Sequence, residues 1–292
     1  MNRLFAALLA LTIATSAMAI LLNTSTTTPY SPFNSNDNGF SNIVHQFNSN
    51  IVASLKQVQT NYNNSVILIP LVEDIQQEDY EIVAELVKRG CTIVLLDENG
   101  YSNKLLNFIG IKAAVSPTHV FDEISKIVSR DYPVACSENN SEKLCLVTYK
   151  PTHIEILGNN SPILVFTTSS YAYEDLDNNG FYSQGDKMGK YIVAAKFSVY
   201  NGSLWLIADL NVFTNNLLNN EYNKMFLESV VKGKNIYLCI KYLRLEVLDK
   251  IKYLIYTLSP QRKAYEGVAT GFLLFTTLLI TLSVVRQVVE RS

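Results

Sequence analysis

The stretch with the most specific chemistry is the acidic loop 175–186, which reads DLDNNGFYSQGD. A twelve-residue calcium loop takes its oxygen ligands from positions 1, 3, 5, 7, 9 and 12 and turns sharply at a glycine in position 6. Gly180 holds that sixth position. The ligand positions hold Asp175, Asp177, Asn179, Phe181 (through its main-chain carbonyl), Ser183 and Asp186. The spacing therefore predicts a site for Ca²⁺ or a similar hard cation.

Two features of the acidic loop depart from the calcium pattern. Position 12 is Asp186, whose side chain reaches less far than the usual glutamate, and no clear helix is predicted before Asp175. The loop would therefore stand alone and not within a helix-loop-helix pair. One alternative stays open, because Asp, Asn and Gly are also ordinary turn formers.

A second polar set follows the predicted strands. The segments TIVLLDENGYSNKLLNFIG from Thr92 and LWLIADLNVFTNNLLNN from Leu204 echo each other, each with an apolar strand that ends in Asp. In open α/β sheets, ligands bind at the carboxyl ends of the strands. We therefore predict a pocket for a sugar or a peptide. The alternative is loop and helix capping. The candidate residues are Asp97, Asn103, Asp209, Asn215 and Asn223.

Residues typical of nucleophilic catalysis are poorly arranged in the sequence. No G-x-C/S-x-G elbow ends a predicted strand, and the three histidines have neither catalytic nor zinc-site spacing. Cys91 and Cys239 lie in apolar strands and are predicted to be buried thiols. These patterns favour a non-catalytic protein, and a hydrolase with an unrecognised site stays open as an alternative.

Apolar periodicity predicts the elements that position these residues. We expect an α/β domain over 43–255, with a mostly parallel sheet, helices on both faces and one hairpin around Asn201-Gly202. The predicted strands are 65–71, 92–96, 163–167, 191–199, 203–208 and 235–240. The predicted helices are 43–58, 79–89, 102–108, 119–129 and 219–231.

The domain is flanked by two uncharged apolar segments, Leu4–Leu22 and Gly267–Val285. The first is predicted to be a signal anchor or a cleavable signal peptide, and the second a transmembrane helix with residues 286–292 as a cytoplasmic tail. Residues 23–42 are rich in Ser, Thr, Asn and Pro and are predicted to be a flexible stalk. The lipid bilayer and other membrane proteins are the expected partners.

Two further patterns predict an extracytoplasmic location for the domain. Cys136 and Cys145 are close enough in sequence to form a disulfide in an oxidising compartment. Five Asn-X-Ser/Thr triplets lie between the apolar ends, at Asn23, Asn63, Asn139, Asn159 and Asn201. The net charge of −2, without a basic stripe, argues against a nucleic-acid partner.

Three segments carry a resemblance to a known family: GCTIVLLDENGYSNKLLNFIG at 90–110, the acidic loop, and ADLNVFTNNLLNNEYNKMFLESVV at 208–231. The chain resembles a family of uncharacterised, mostly archaeal membrane-anchored proteins. Their exported domain is related to gliding-motility ABC-transport auxiliary proteins and is similar in fold to class I glutamine amidotransferases. The resemblance implies a fold and an architecture but no reaction.

The sequence therefore leads to one functional hypothesis and two alternatives. The hypothesis is a membrane-anchored, extracytoplasmic, non-catalytic binding or scaffolding domain that binds calcium through the acidic loop 175–186. The alternatives are an accessory subunit of a membrane transport or cell-surface assembly, and the hydrolase mentioned above.

Overall fold

The computed structural model describes residues 10–14, 16, 17, 20, 21, 23–58, 64–137, 143–158 and 161–258. The chain divides into two compact units. One unit is Thr27–Arg244, which carries the sheets and the candidate metal- and ligand-binding residues. The other combines Met1–Thr26 with Leu245–Ser292. Within this second unit, the Lys252 ammonium donates to the carbonyl of Thr24.

Strands dominate the described part of Thr27–Arg244. In chain order the strands are β1 Asn50–Val52, β2 Ser65–Pro70, β3 Thr92–Leu96, β4 Ala113–Ser116, β5 Val120–Asp122, β6 Val134–Ser137, β7 Cys145–Val147, β8 His153–Ile156, β9 Leu164–Thr167, β10 Ala172–Glu174, β11 Lys187–Gly189, β12 Ile192–Val199, β13 Gly202–Ile207 and β14 Asn235–Cys239. The α-helices of this unit are α1 Ser41–Gln46, α2 Gln77–Lys88, α3 Asn103–Phe108, α4 Asn215–Leu218 and α5 Glu221–Val231. The second unit contains α6 Val247–Leu258.

Nine strands form one mixed sheet in the order β1-β14-β2-β3-β13-β12-β9-β6-β7. The four pairings among the first five strands are parallel, and the four pairings from β13 to β7 are antiparallel. Two small antiparallel sheets, β11-β10-β5 and β4-β8, complete the described strands. Counting all three sheets, seven of the eleven strand pairings are antiparallel.

The prediction of a mostly parallel sheet is therefore wrong. Parallel neighbours need long crossovers, usually helices, and in the described residues such helices occur only around β2, β3 and β14. Between α3 and α4 the described chain forms ten strands, β4 to β13, with no helix among them. Strands joined without crossover helices usually pair antiparallel, and for this reason half of the large sheet is antiparallel.

The predicted membrane-spanning architecture is also corrected. No helix within the described residues has both the length and the apolar character needed to cross a bilayer. This contradicts the predicted signal anchor and transmembrane helix for that part of the chain. The segment 267–285 and much of 4–22 lie outside the described residues.

Two predicted helices are different elements in the structure. The apolar period over 43–58 is divided between α1, β1 and a 3₁₀ turn at Leu55–Val58, because Asn48 has a left-handed φ of 51° that ends the helix. The segment 119–129 begins as β5. The Asp122 carboxylate then accepts the N–H groups of Ile124 and Ser125, at 2.9 Å each, in place of helical hydrogen bonds.

The segment 23–42, predicted to be a flexible stalk, is packed over much of its length. Ser31, Asn34 and Phe40 are fully buried, and Phe33 is nearly so. The N-terminal part of the compact unit therefore begins at Thr27, well before the predicted boundary at residue 43.

Helices cover both faces of the large sheet. Val83, Leu86 and Val87 of α2 belong to the core cluster formed with alternate residues of the central strands, such as Ile93 and Leu204. On the opposite face, the next residue of β13, Trp205, packs against Phe226 of α5 at 5.0 Å between ring centroids. Successive side chains of a strand point to opposite faces, so α2 and α5 lie on opposite sides.

A disulfide, Cys136–Cys145, joins directly opposed residues of β6 and β7 at the edge of the sheet. We predict that replacing both cysteines with serine lowers the free energy of unfolding by about 2–3 kcal/mol, because the crosslink restricts the unfolded chain over a short loop. Urea unfolding with and without dithiothreitol measures the effect. The double variant should not respond to the reductant. A wild-type protein that also does not respond would contradict the prediction.

Candidate functional site

The acidic loop connects β10 and β11 and is fixed at both ends by their antiparallel pairing. The Asp175 N–H donates to the His119 carbonyl at 3.0 Å, and the Tyr173 hydroxyl donates to the Gly180 carbonyl at 3.3 Å. The guanidinium of Arg130 lies 3.9 Å from the centroid of the Phe181 ring. The loop is therefore held against the small sheet at several points.

Three carboxylates of the acidic loop converge. One carboxylate oxygen each from Asp175, Asp177 and Asp186 lies within 4.8 Å of the other two. The Ser183 hydroxyl lies between two of them, 3.0 Å from Asp177 Oδ2 and 3.1 Å from Asp186 Oδ2. Asp175 is 3% exposed, whereas Asp177 is exposed, so the cluster extends from the protein interior to the surface.

Main-chain N–H groups and one side-chain amide hold these carboxylates in place. Gly180 donates to Asp175 at 2.9 Å, Leu176 donates to Asp186 at 3.0 Å, and the Asn179 side-chain amide donates to Asp177 at 2.8 Å. The Leu176 hydrogen bond is the main cause of a lowered pKa at Asp186. Ionised carboxylates this close repel one another, and a cation placed among them would relieve the repulsion.

The left-handed turn that the calcium pattern requires is present. Gly180 has φ of 74° and Asn178 has φ of 56°. Positive φ is cheap for Gly and tolerable for Asn, which explains why these two residue types fall at the sharp turn. The residues that this turn requires are therefore present in the local sequence.

At the carboxyl edge of the large sheet, Asp97 and Asp209 follow adjacent parallel strands, as the echo between their segments suggests. Asp97 is fully buried and accepts the N–H groups of Asn99, Tyr101 and Ser102, and the Ser102 hydroxyl at 2.6 Å. All of these contacts are within its own loop. Its carboxylate therefore shapes the turn into α3.

The three asparagines of the predicted ligand set clamp the main chain of distant segments. Asn103 bonds both the N–H and the carbonyl of Val115. Asn223, fully buried, bonds both main-chain groups of Val147 at 2.7 and 2.8 Å, and also the Val212 carbonyl. Asn215 donates to the carbonyls of residues 34 and 36 and accepts the N–H of residue 42. All three side-chain amides therefore form hydrogen bonds to the main chain of the protein itself.

Asp209 holds the main chain of two half-buried residues, Tyr149 and Asn211. Its carboxylate is fully buried and accepts the Tyr149 N–H at 2.8 Å and the Asn211 N–H at 2.7 Å. Burial, and then the nearby Glu98 carboxylate, raise the pKa of Asp209 to about 7. Burial is also the main cause of a raised pKa at Glu98.

Beside Asp209 lies a cleft of about 120 Å³ that the sequence did not predict. Two tyrosines, Tyr132 and Tyr149, form part of its wall, with ring centroids 4.9 Å apart. The remaining lining residues are Asp37, Asn38, Asn211, Thr214, Asn216 and Leu217. None of the five predicted ligand residues lines it. The nearest sequence signals were Asn215, which lies between the lining residues Thr214 and Asn216, and Asp209, two residues before Asn211. Asp37 and Asn38 fall in the supposed stalk.

Neither of the two thiols outside the disulfide is arranged for nucleophilic chemistry. Cys91 and Cys239 are fully buried, and burial raises the pKa of their thiols to about 11 and about 12. Both thiols are therefore protonated at neutral pH, and the protonated form is a poor nucleophile. The His119 ring is bonded through Nδ1 to the Lys150 carbonyl at 2.8 Å.

The predicted glycosylation sites are partly visible. Asn23 and Asn201 are exposed, as acceptor residues must be. Asn63, Asn139 and Asn159 lie outside the described residues. Glycosylation of these positions stays a prediction.

No family model and no curated protein matches the sequence. Among solved structures, the N-terminal domain of mmIFT52 is 14% identical, with 62% of this chain and 81% of that chain covered and a TM-score of 0.44. An exo-β-1,4-mannosidase from Opitutaceae bacterium strain TAV5 and a β-galactosidase from Bacillus circulans sp. alkalophilus are 9% and 12% identical. Each alignment covers 56% of this chain and 23% of the enzyme, with a TM-score of 0.30. At these TM-scores the similarities carry no argument about fold or function.

Proposed function

We propose that this protein is an extracytoplasmic, non-catalytic binding domain that takes up Ca²⁺ through the acidic loop 175–186. The observation that carries the proposal is the convergence of Asp175, Asp177 and Asp186 within 4.8 Å in a loop with calcium-loop spacing. Ca²⁺ takes six to eight oxygen ligands, and this loop offers carboxylates, an amide, a hydroxyl and main-chain carbonyls.

The extracytoplasmic location is supported by the Cys136–Cys145 disulfide, since disulfides persist mainly in oxidising compartments. Extracellular calcium-binding modules typically have dissociation constants of ~10⁻⁴–10⁻³ M. A loop with three carboxylates, one of them the shorter Asp at position 12, suits that weak range. The two lines of support therefore point to the same environment.

The test is a thermal melt of the full chain with millimolar Ca²⁺ and then with EDTA. Ca²⁺ should raise the melting temperature, because a ligand that binds only the folded state stabilises it by mass action. The gain in the free energy of unfolding is ~2.7 kcal/mol at a hundredfold excess over the dissociation constant. Asp177→Ala should abolish this gain and leave the metal-free stability nearly unchanged, because Asp177 is exposed.

Asp74→Ala, at another exposed carboxylate outside the loop, is the matched control and should retain the full Ca²⁺ response. Mg²⁺ should act more weakly, because it demands a tighter octahedral shell of ligands. Superimposable melts of the wild type in Ca²⁺ and in EDTA, without calorimetric heat of binding, would reject calcium binding.

A further inference from the structure

The cleft beside Asp209 has the composition of a ligand site, and nothing in its geometry depends on the acidic loop. It lies within Thr27–Arg244 at the carboxyl edge of the sheet, next to the ends of the parallel strands β3 and β13. That edge is where α/β sheets most often bind small molecules. We propose that this cleft binds one ring of a neutral carbohydrate.

The size of the cleft limits what it accepts. Pockets for drug-sized ligands usually measure ~300–1,000 Å³, whereas an apolar cavity of ~150 Å³ holds a single six-membered ring. At about 120 Å³ and open to solvent, the cleft fits one ring with the rest of the ligand outside. A terminal or branching sugar residue meets that description.

The chemistry of the walls selects for hydroxyl groups and ring faces. The side-chain amide of Asn216 can donate and accept hydrogen bonds, as sugar hydroxyls require. The Asn38 amide oxygen already accepts from Asn34, and the Asn211 amide is bonded to Asp209 and Tyr30, so these two amides offer only their remaining capacity. The Tyr132 and Tyr149 rings offer aromatic faces against which the C–H face of a sugar can pack.

Charge narrows the class of ligand further. The only ionisable carboxylate among the described lining residues is Asp37, and no lysine or arginine lines the cleft. The nearest described cation is the Lys150 ammonium, 5.7 Å from the centroid of the Tyr149 ring and already 3.9 Å from the Asp131 carboxylate. An anionic ligand such as a phosphate or a uronic acid would meet repulsion from Asp37 with no cation in the lining itself. The lining therefore favours a neutral sugar over an acidic one.

Several polar groups of the cleft are available to a ligand. Within the described residues, the carboxylate of Asp37, the side-chain amide of Asn216 and the hydroxyls of Tyr132 and Tyr149 form no hydrogen bond. In contrast, the supporting layer is fixed, because the buried Asp209 carboxylate holds the main chain of Tyr149 and of Asn211. Polar side chains without internal hydrogen bonds, carried on a main chain that is held in place, form a preorganised site.

Saturation-transfer difference NMR on the full chain tests the proposal with glucose, galactose and N-acetylglucosamine as neutral probes. Glucuronate and choline are the anionic and cationic probes. At least one neutral sugar should give a signal, and glucuronate a weaker one. Tyr132→Ala and Asn216→Ala should each weaken the binding of that sugar about tenfold. Tyr200→Ala is the control, since Tyr200 is exposed and lies in the β12–β13 turn, at the opposite end of β13 from Asn211, and it should bind as the wild type does.

Asp37→Asn separates a sugar from a cation. The asparagine keeps a hydrogen-bonding side chain but loses the charge, so sugar binding should fall only a few-fold, whereas binding of a cation would be lost. Asn216 is exposed, so its alanine variant remains folded and interpretable even if a tyrosine variant does not. Absence of a signal from every neutral sugar, a signal unchanged in Asn216→Ala, or binding of choline alone would each overturn the proposal. All measurements in EDTA keep the outcome independent of calcium.

Discussion

Asn223→Ala is expected to lower the free energy of unfolding by about 3–5 kcal/mol. The Asn223 side chain is fully buried on α5, and its amide satisfies the N–H and the carbonyl of Val147 and the carbonyl of Val212. Truncation leaves three buried main-chain groups without partners, and each such group costs about 1–3 kcal/mol. It also leaves a small cavity beside β7.

Chemical denaturation of the full chain measures this loss, and two further variants interpret it. Asn223→Asp has nearly the same shape but places a carboxylate against two carbonyls, so it should be about as destabilising as alanine. Asn216→Ala, an exposed asparagine in α4, should change stability by less than about 0.5 kcal/mol. A mild effect of both Asn223 variants would restore the hypothesis that Asn223 is a ligand residue.

The second large effect concerns pH. Burial and the Glu98 carboxylate raise the pKa of Asp209 in the folded protein to about 7, against ~3.9 for an unfolded aspartate. Between these two values the folded state holds more protons than the unfolded state. The contribution of Asp209 to the free energy of unfolding should therefore be most favourable below pH ~4. It should fall by about 4 kcal/mol as the pH rises to about 7.

Other groups titrate in the same range, so the comparison is between variants. Asp209→Asn cannot ionise and should lose this part of the pH dependence. Glu98→Gln removes the neighbouring charge that raises the pKa of Asp209, and should stabilise the protein at pH 8 more than at pH 5. Glu81→Gln, at an exposed glutamate of α2, is the matched control.

Denaturant unfolding between pH 4.5 and 8.5 provides the measurement for these variants. The groups that face Asp209 are Glu98, Asn211, the Tyr149 N–H and the Tyr30 phenol, whose pKa burial raises. If wild type and Asp209→Asn show parallel pH profiles, Asp209 is ionised in the fold throughout this range. The three N–H bonds to its carboxylate would then outweigh its burial.

Local sequence determined much of this molecule. The strand Thr92–Leu96 occurs within the bounds predicted for it, and α3 and the hairpin β12–β13 lie within a residue or two of theirs. Apolar runs and their turn residues are short-range signals, and the hydrogen bonds that complete them are between neighbours in sequence. For the same reason the acidic loop could be drawn from its spacing. Its carboxylates bond N–H groups at most ten residues away.

Partners distant in sequence were decided by the tertiary structure alone. Nothing in the sequence shows that Asn215 pairs with the main chain of residues 34–42, so a polar segment with no apolar period was predicted to be a stalk. The same holds for the cleft, whose walls come from residues 37–38, 132, 149 and 211–217. The sequence also did not determine whether each strand runs parallel or antiparallel to its neighbours. An apolar run pairs equally well parallel or antiparallel, and the choice depends on the connection and on which neighbour it meets.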